Sequence, residues 1–359
     1  MKRILIGVTY YLPNISGVSI YAKILAEELV KKKKRVEILT SKYKYNLRDD
    51  EEINGVKITR VGGWQIGKGI LMGKYPLVSF KKIKECDVIN CHLPSLESFW
   101  LALWAKIFRK KLIVTHHCEF GFSGTIGNRA IAGLSFLPHF FTYLMADKIV
   151  SYTKDYAINS MYLKIFRKKI TYILPPIKLE EGEKNFDFGK GRVVAYVGRI
   201  AWEKGLTYLI EAMKNVAGKL VLAGPYKEVV GDKTYEKIKE RLGKNIVLTG
   251  PIEHKNLKNF YKKIDCLVLP STNNLETFGI VQAEAMKCGT PVVASDLPGV
   301  RVPVHMTGMG EICELENAND LAKKINIVLN NGKRYYQKRS KKLEFFDFKK
   351  TVMEYEKIF

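Results

Sequence analysis

The sequence predicts an α/β protein made of two doubly wound parallel sheets in tandem. Three observations predict it. Strand-like apolar runs alternate with amphipathic helical stretches along the chain, as in a parallel sheet covered on both faces. The alternation is interrupted near Pro175-Pro176 and the polar segment 178–191. The length, 359 residues, is too great for one ordinary core and suits two.

In the first half, Arg3 to Thr9 reads as a buried strand. Ser19 to Val30 follows with Ile20, Ile24, Leu25 and Leu29 on one face, the spacing of a helix packed on a sheet. Further strands are expected at 36–40, 56–61, 87–90, 112–115, 148–151 and 170–174, with helices near 95–109, 126–146 and 155–166. The second half repeats the scheme. Strands are expected at 192–197, 219–223, 245–249, 266–269 and 291–295, and helices near 205–216, 232–242, 254–263, 278–288, 317–330 and 334–359. The predicted divisions are 1–177, 178–342 and a last helix in 343–359. Two such sheets are expected to leave a cleft between their carboxyl ends, where open α/β sheets bind ligands.

Nearly half of the residues are hydrophobic and no segment is compositionally biased, which excludes a disordered or fibrous chain. The six cysteines form no Cys-x-x-Cys pair and no regular spacing, so they read as reduced, buried thiols of a cytoplasmic protein. The N-terminus lacks the features of a signal peptide. The most apolar stretch, 131–146, is broken by Pro138 and His139 and is shorter than the roughly 20 residues of a spanning helix. The net charge is +24, with 29 Lys and Arg against 13 Asp and Glu in residues 1–177 and 31 against 23 in the remainder. A basic first half points to an anionic partner, and an anionic membrane surface is one. Phe99 to Lys111 combines Trp100, Trp104 and a basic flank, the pattern of an interfacial helix. A core helix of the first sheet explains the same pattern.

The chemistry concentrates in Cys266 to Val292. A strand ends at Pro270, a polar loop follows, and a helix is expected from Thr277 or Phe278. The first-turn amides of such a helix, Phe278, Gly279 and Ile280, would form an anion site with the positive end of the helix dipole. Gly279 lets a phosphate or sugar approach the backbone. Glu276 precedes the helix, and Glu284 lies far enough along to share its face. A carboxylate accepts hydrogen bonds from vicinal hydroxyls, which suits a ribose or a sugar ring. A second element, Tyr196-Val-Gly-Arg199-Ile-Ala-Trp-Glu-Lys204-Gly205, places two cations after a strand, where a diphosphate leaving group needs counter-charge. A third, Pro13-Asn-Ile-Ser16-Gly17, follows the first strand. Gly17 sits at a loop-to-helix turn, and the spacing is not that of a dinucleotide fingerprint.

These three loops and their order resemble the family 4 retaining glycosyltransferases of GT-B fold over almost the whole chain. The most specific part is Glu276-x7-Glu284 with Phe278-Gly279 inside, followed by Gly289-x-Pro-Val-Val-Ala-Ser295. Val197-Gly-Arg-x5-Gly-Leu206, Leu220 to Gly224, Leu248-Thr-Gly250, Asp265 to Ser271 and Leu297 to Val300 fall in the family's order. The resemblance implies a donor, a UDP-, GDP- or ADP-linked sugar, held at its diphosphate by Arg199 and Lys204 with Gly17 and the amides of Phe278, Gly279 and Ile280. It implies Glu276 on the sugar hydroxyls, Glu284 on the ribose, and the loop at Ile252 beside the base. His117, selected over His116 by the family's Thr-x-His spacing, would reach the sugar from the first domain, so that His117 and Glu276 are the implied catalytic pair. The last helix would cross back to the first domain. Two departures stand out: Ser16 where many relatives have glycine, and Leu174-Pro-Pro-Ile177 in place of Pro-Asn-Gly at the hinge.

The resemblance further implies a hexosyl group passed with retention to a glycan, lipid or small-molecule acceptor, by front-face attack rather than through a carboxylate nucleophile. No cofactor is expected. No Asp-x-Asp motif marks a metal position, and Arg199 and Lys204 supply the counter-charge, so a divalent metal is not expected to be essential. The alternatives are a nucleotide-sugar epimerase of related fold and a basic nucleic-acid-binding protein. The latter lacks any recognition motif, so no nucleic acid is expected as partner.

Overall fold

A computed structural model describes residues 1–66, 69–119, 126–226 and 233–359. The chain forms two compact units, Met1–Pro176 with Phe348–Phe359, and Ile177–Asp347.

The first unit runs β1 (Arg3–Gly7), α1 (Gly17–Lys31), β2 (Arg35–Lys42), β3 (Asp50–Ile53), β4 (Val56–Gly62), β5 (Trp64–Ile66), β6 (Gly69–Leu71), α2 (Tyr75–Lys84), β7 (Val88–Leu93), α3 (Ser98–Ile107), β8 (Lys111–His116), α4 (Ile126–Met145), β9 (Lys148–Ser151), α5 (Lys154–Asn159) and β10 (Ile170–Tyr172). Its eight-stranded sheet has the order β10-β9-β8-β7-β1-β2-β4-β3. Only β3 is antiparallel, folded back on β4. β5 and β6 make a separate hairpin. Every residue of β7 and all but the first of β8 are buried, so besides their apolar residues these strands carry Asn90, His92, Thr115 and His116 into the interior.

The apolar stretch around Trp100 and Trp104 forms a core helix, as the second reading of that pattern expects. Leu101, Ala102 and Ala105 of α3 are buried, and both tryptophans pack against the first unit's core. The Trp104 indole donates to the Pro76 carbonyl at 3.0 Å. The helix expected over 155–166 stops at Asn159, because Ser160 turns extended and its hydroxyl accepts from the Leu163 amide.

The second unit runs β11 (Val193–Val197), α6 (Leu206–Ala212), β12 (Lys219–Ala223), α7 (Thr234–Lys239), β13 (Ile246–Gly250), α8 (Leu257–Lys263), β14 (Cys266–Leu269), α9 (Ile280–Lys287), β15 (Val292–Ser295), α10 (Val302–Thr307), β16 (Gly310–Cys313) and α11 (Ala318–Arg339). The first residue of the helix expected over 232–242 lies outside the described residues. The sheet is parallel throughout, ordered β13-β12-β11-β14-β15-β16. That is the strand order of a dinucleotide-type fold, with its reversal between β11 and β14. The single helix expected over 334–359 is instead the end of α11 and a separate α12 (Phe348–Ile358), which belongs to the first unit. Gly332 interrupts α11 with φ of 72°. Tyr355 of α12 joins Tyr21 of α1 and Thr115 of β8, each hydroxyl contact being 2.8 Å.

Candidate functional site

In the second unit the loops after β11 and β14 leave the sheet on either side of its reversal, and they are knitted together. The Thr272 amide donates to the Glu203 carbonyl at 3.1 Å. Gly205 holds φ of 65°, and a Cβ there would lie 2.0 Å from the Pro270 carbonyl oxygen. Only glycine allows that approach, and it carries Lys204 up to the neighbouring loop. There the Lys204 Nζ sits 2.7 Å from Glu276 Oε2. The other oxygen, Oε1, accepts from the Gly279 amide at 3.0 Å. A lysine and a helix-leading amide, both assigned to phosphate by the sequence, therefore already hold an anion, the protein's own carboxylate.

This arrangement corrects the expected helix start. α9 begins at Ile280, after Gly279 with φ of 72°, so Phe278 and Gly279 precede the first turn. The Gly279 amide is capped by Glu276, and the Phe278 ring is fully buried, edge-on to Phe346. Arg199 pairs through Nη2 with Glu203 Oε1 at 3.1 Å and stays half exposed, whereas Glu203 is buried. The neighbouring Tyr196 hydroxyl donates to the Arg199 carbonyl at 2.7 Å, and burial raises its pKa well above that of a free tyrosine.

Glu284 is buried rather than solvent-facing. The Tyr261 hydroxyl donates to its Oε2 at 2.7 Å, and its Oε1 lies 3.8 Å from His254 Nε2. Ile252 is half-buried in the loop after β13, two residues before that histidine. Among the described residues, the buried side-chain atoms of this unit without a hydrogen-bond partner are Glu203 Oε2, His254 Nε2, Ser271 Oγ, Asn273 Nδ2 and Gln282 Oε1. Four follow the carboxyl ends of β11, β13 and β14, and the fifth lies on α9. Buried polar atoms normally find partners, so a concentration of unpaired ones marks ground prepared for a polar ligand. Glu203, His254, Ser271 and Asn273 were not singled out by sequence, since each is ordinary for a loop.

In the first unit Gly17 opens α1, and Ser16 caps it. The Ser16 hydroxyl accepts from the Ser19 amide at 3.2 Å, and the Ser19 hydroxyl accepts from the Ser16 amide at 2.7 Å. Serine in place of the family's glycine thus closes a capping box over two amides beside Gly17. Glu97, missed by the sequence reading, is buried in the turn that leads into α3. It accepts from the Ser95 hydroxyl at 2.8 Å, and burial raises its pKa.

His116 and His117 are both buried, against different partners. His116 lies between the hydroxyls of Tyr143 and Tyr156. His117 Nε2 meets His92 Nδ1 at 2.8 Å, and its Nδ1 meets the Tyr152 hydroxyl. The proton positions follow from one backbone carbonyl. Asn90 Nδ2 faces the Ile113 oxygen at 3.3 Å and Thr115 Oγ1 at 2.9 Å, so this end of the amide is the donor. Its Oδ1 then accepts from His92 Nε2 at 2.9 Å. Burial pushes the His92 pKa down to about 3 and that of His117 well below the usual histidine range, so both rings are neutral at pH 7. His92 Nδ1 is therefore an acceptor, His117 donates through Nε2, and Tyr152 donates to His117 Nδ1. To meet a sugar, His117 must exchange one of these bonds.

The family model for glycosyl transferases group 1 matches residues 178–343, and that for glycosyltransferase family 4 matches residues 15–181. An uncharacterized glycosyltransferase of Methanocaldococcus jannaschii is 29% identical, over 94% of this chain and 92% of the relative. Among solved structures, sucrose-phosphate synthase from Thermosynechococcus elongatus superposes with a TM-score of 0.80 at 20% identity, covering 100% of this chain and 98% of that one. Anabaena HepE in complex with UDP-glucose gives 0.73 at 16%, covering 99% of each. At these identities the structural likeness establishes the fold, that of GT-B enzymes with two Rossmann-like α/β units.

Proposed function

Because this chain belongs to the glycosyltransferases of group 1 and family 4, we propose that it moves a hexosyl group, with retention, from a nucleotide diphosphate sugar to a glycan, lipid or small-molecule acceptor. Membership of that class is chosen over the epimerase and nucleic-acid-binding alternatives. The observation that carries the donor assignment is the Glu276 carboxylate seated on Lys204 and the Gly279 amide, an anion site filled from within. When a diphosphate arrives, its oxygens take over Lys204 and the amide, and Glu276 is released to accept from the sugar hydroxyls. The bond from the anomeric carbon to the phosphate oxygen breaks as the acceptor oxygen attacks from the same face, and the departing phosphate takes the acceptor's proton. Lys204 and Arg199 stabilise the charge that builds on that phosphate.

A thermal-shift and hydrolysis screen of UDP-, GDP- and ADP-sugars tests this reading. One of the three is expected to stabilise and be turned over by the wild type, with both signals lost in Glu276→Ala and activity retained in excess chelator. If none binds, the donor assignment fails. Complete loss of activity on chelation would overturn the metal-independent mechanism.

No helix among the described residues is long and apolar enough to cross a membrane. We place the enzyme in the cytoplasm, with contact to an anionic membrane face through α4 rather than α3. Leu137, Phe141 and Leu144 are exposed at helical spacing along α4, and Ile165 is exposed in the basic segment holding Lys164, Arg167 and Lys168. Flotation with vesicles containing phosphatidylglycerol is expected to carry the protein, and Phe141→Ser with Leu144→Ser to reduce the bound fraction several-fold. Equal flotation with neutral vesicles would remove the charge argument.

A further inference from the structure

We propose that His254 is a second ligand for the donor's ribose, sharing its diol with Glu284. This rests on the reading of the chain as a nucleotide-sugar enzyme. The Tyr261 hydroxyl occupies Glu284 Oε2 at 2.7 Å and so fixes the carboxylate, leaving Oε1 turned toward His254. His254 Nε2 is buried and has no hydrogen-bond partner among the described residues. The 3.8 Å between these two atoms is too long for a hydrogen bond between them. Each atom therefore keeps its capacity for an incoming group.

The chemistry of the gap restricts its occupant. An ionised carboxylate oxygen only accepts, so the group beside it must donate; a phosphate oxygen there would meet like charge. An imidazole nitrogen pairs with a hydroxyl in either tautomer. Two adjacent hydroxyls on one ring satisfy both atoms, one donating to Glu284 Oε1 and its neighbour pairing with His254 Nε2. The position in the fold agrees with this. His254 follows β13 by four residues, just after Ile252, while Glu284 comes from α9. The loop next to the proposed base site thus also reaches the sugar attached to that base.

The test is a cycle between protein and nucleotide. Calorimetry would measure UDP, GDP and ADP, each with its 2′-deoxy and 3′-deoxy counterparts, against the wild type, His254→Ala and His254→Asn. For the nucleotide that binds, His254→Ala is expected to weaken affinity about tenfold, the value of one hydrogen bond. Removing the hydroxyl that His254 holds should weaken the wild type by the same factor and leave His254→Ala unchanged. His254→Asn keeps a donor and should recover part of the loss. Equal affinity of His254→Ala and the wild type would overturn the proposal. So would a loss in the variant that is the same for ribo- and deoxynucleotides, the signature of a bridging water or a purely structural role. Failure of all three nucleotides to bind the wild type would instead bring down the donor reading, and this proposal with it.

Discussion

Replacing Lys204 with methionine is expected to lower kcat/KM for the nucleotide sugar by roughly 10²–10³-fold, mostly through kcat. The substitution keeps the apolar stem and removes the ammonium. The ammonium now pairs with Glu276 at 2.7 Å, and both side chains are largely shielded, 16% and 18% exposed. In so confined a place one fixed charge stabilises a developing phosphate dianion much more than it would in water. Glu276→Gln should also lower the rate, because an amide is a weaker acceptor for sugar hydroxyls. The double variant should lose less than the product of the two single losses, since each partner depends on the other for its orientation. Steady-state kinetics on the four proteins decides. A loss confined to KM would mean that Lys204 binds the donor without acting on the leaving phosphate. Fully additive losses would mean that the observed ion pair has no part in the cycle.

The fold was legible where burial is two-sided. β1, β11, β12 and β14 are mostly apolar and buried, and a short run of Ile, Val and Leu signals such a strand directly. The parts not foreseen carry no such pattern. β3 is Asp-Glu-Glu-Ile, an edge strand that is nowhere fully buried, and its pairing with β4 depends on register rather than hydrophobicity. β16 is half glycine and glutamate. α2 begins Tyr75-Pro76, and its buried face, Tyr75, Ser79 and Ile83, has a serine at its centre, so apolar residues alone do not mark the helical period. At the candidate site the sequence motifs name Glu276 and Lys204 together, but not their hydrogen bonding. Glu276 and Lys204 stand 72 positions apart, and nothing in their spacing reveals that they pair with each other before any ligand. Nor does sequence reveal that the Ile113 carbonyl, through Asn90 and His92, sets which nitrogen of His117 carries its proton.

Gly224→Ala is expected to destabilise the second unit by about 2–4 kcal/mol, an effect as large as deleting a core side chain. The residue closes the Leu220 to Gly224 strand motif, where three strand ends are tied in sequence. The Gly198 amide donates to the Ala223 carbonyl, and the Gly224 amide to the Gly250 carbonyl, each at 2.9 Å. Gly224 has φ of 149°, and a Cβ there would lie 1.9 Å from the Gly198 carbonyl oxygen and 2.6 Å from its carbon. Those are backbone atoms, so no side chain can swing aside, and relief requires β11 and β12 to part at their carboxyl ends. That movement displaces Gly198 and with it Arg199, so the surviving enzyme should also show a raised KM for the donor. Gly250→Ala separates strain from collision. Gly250 also has positive φ, 69°, but nothing lies within 4 Å of its Cβ position. It should lose only the backbone preference, about 1–2 kcal/mol. Urea unfolding of the two variants makes the comparison. Gly224→Ala should show a clearly lower midpoint than Gly250→Ala, and equal midpoints would mean that the close approach of the two strand ends is absent in solution.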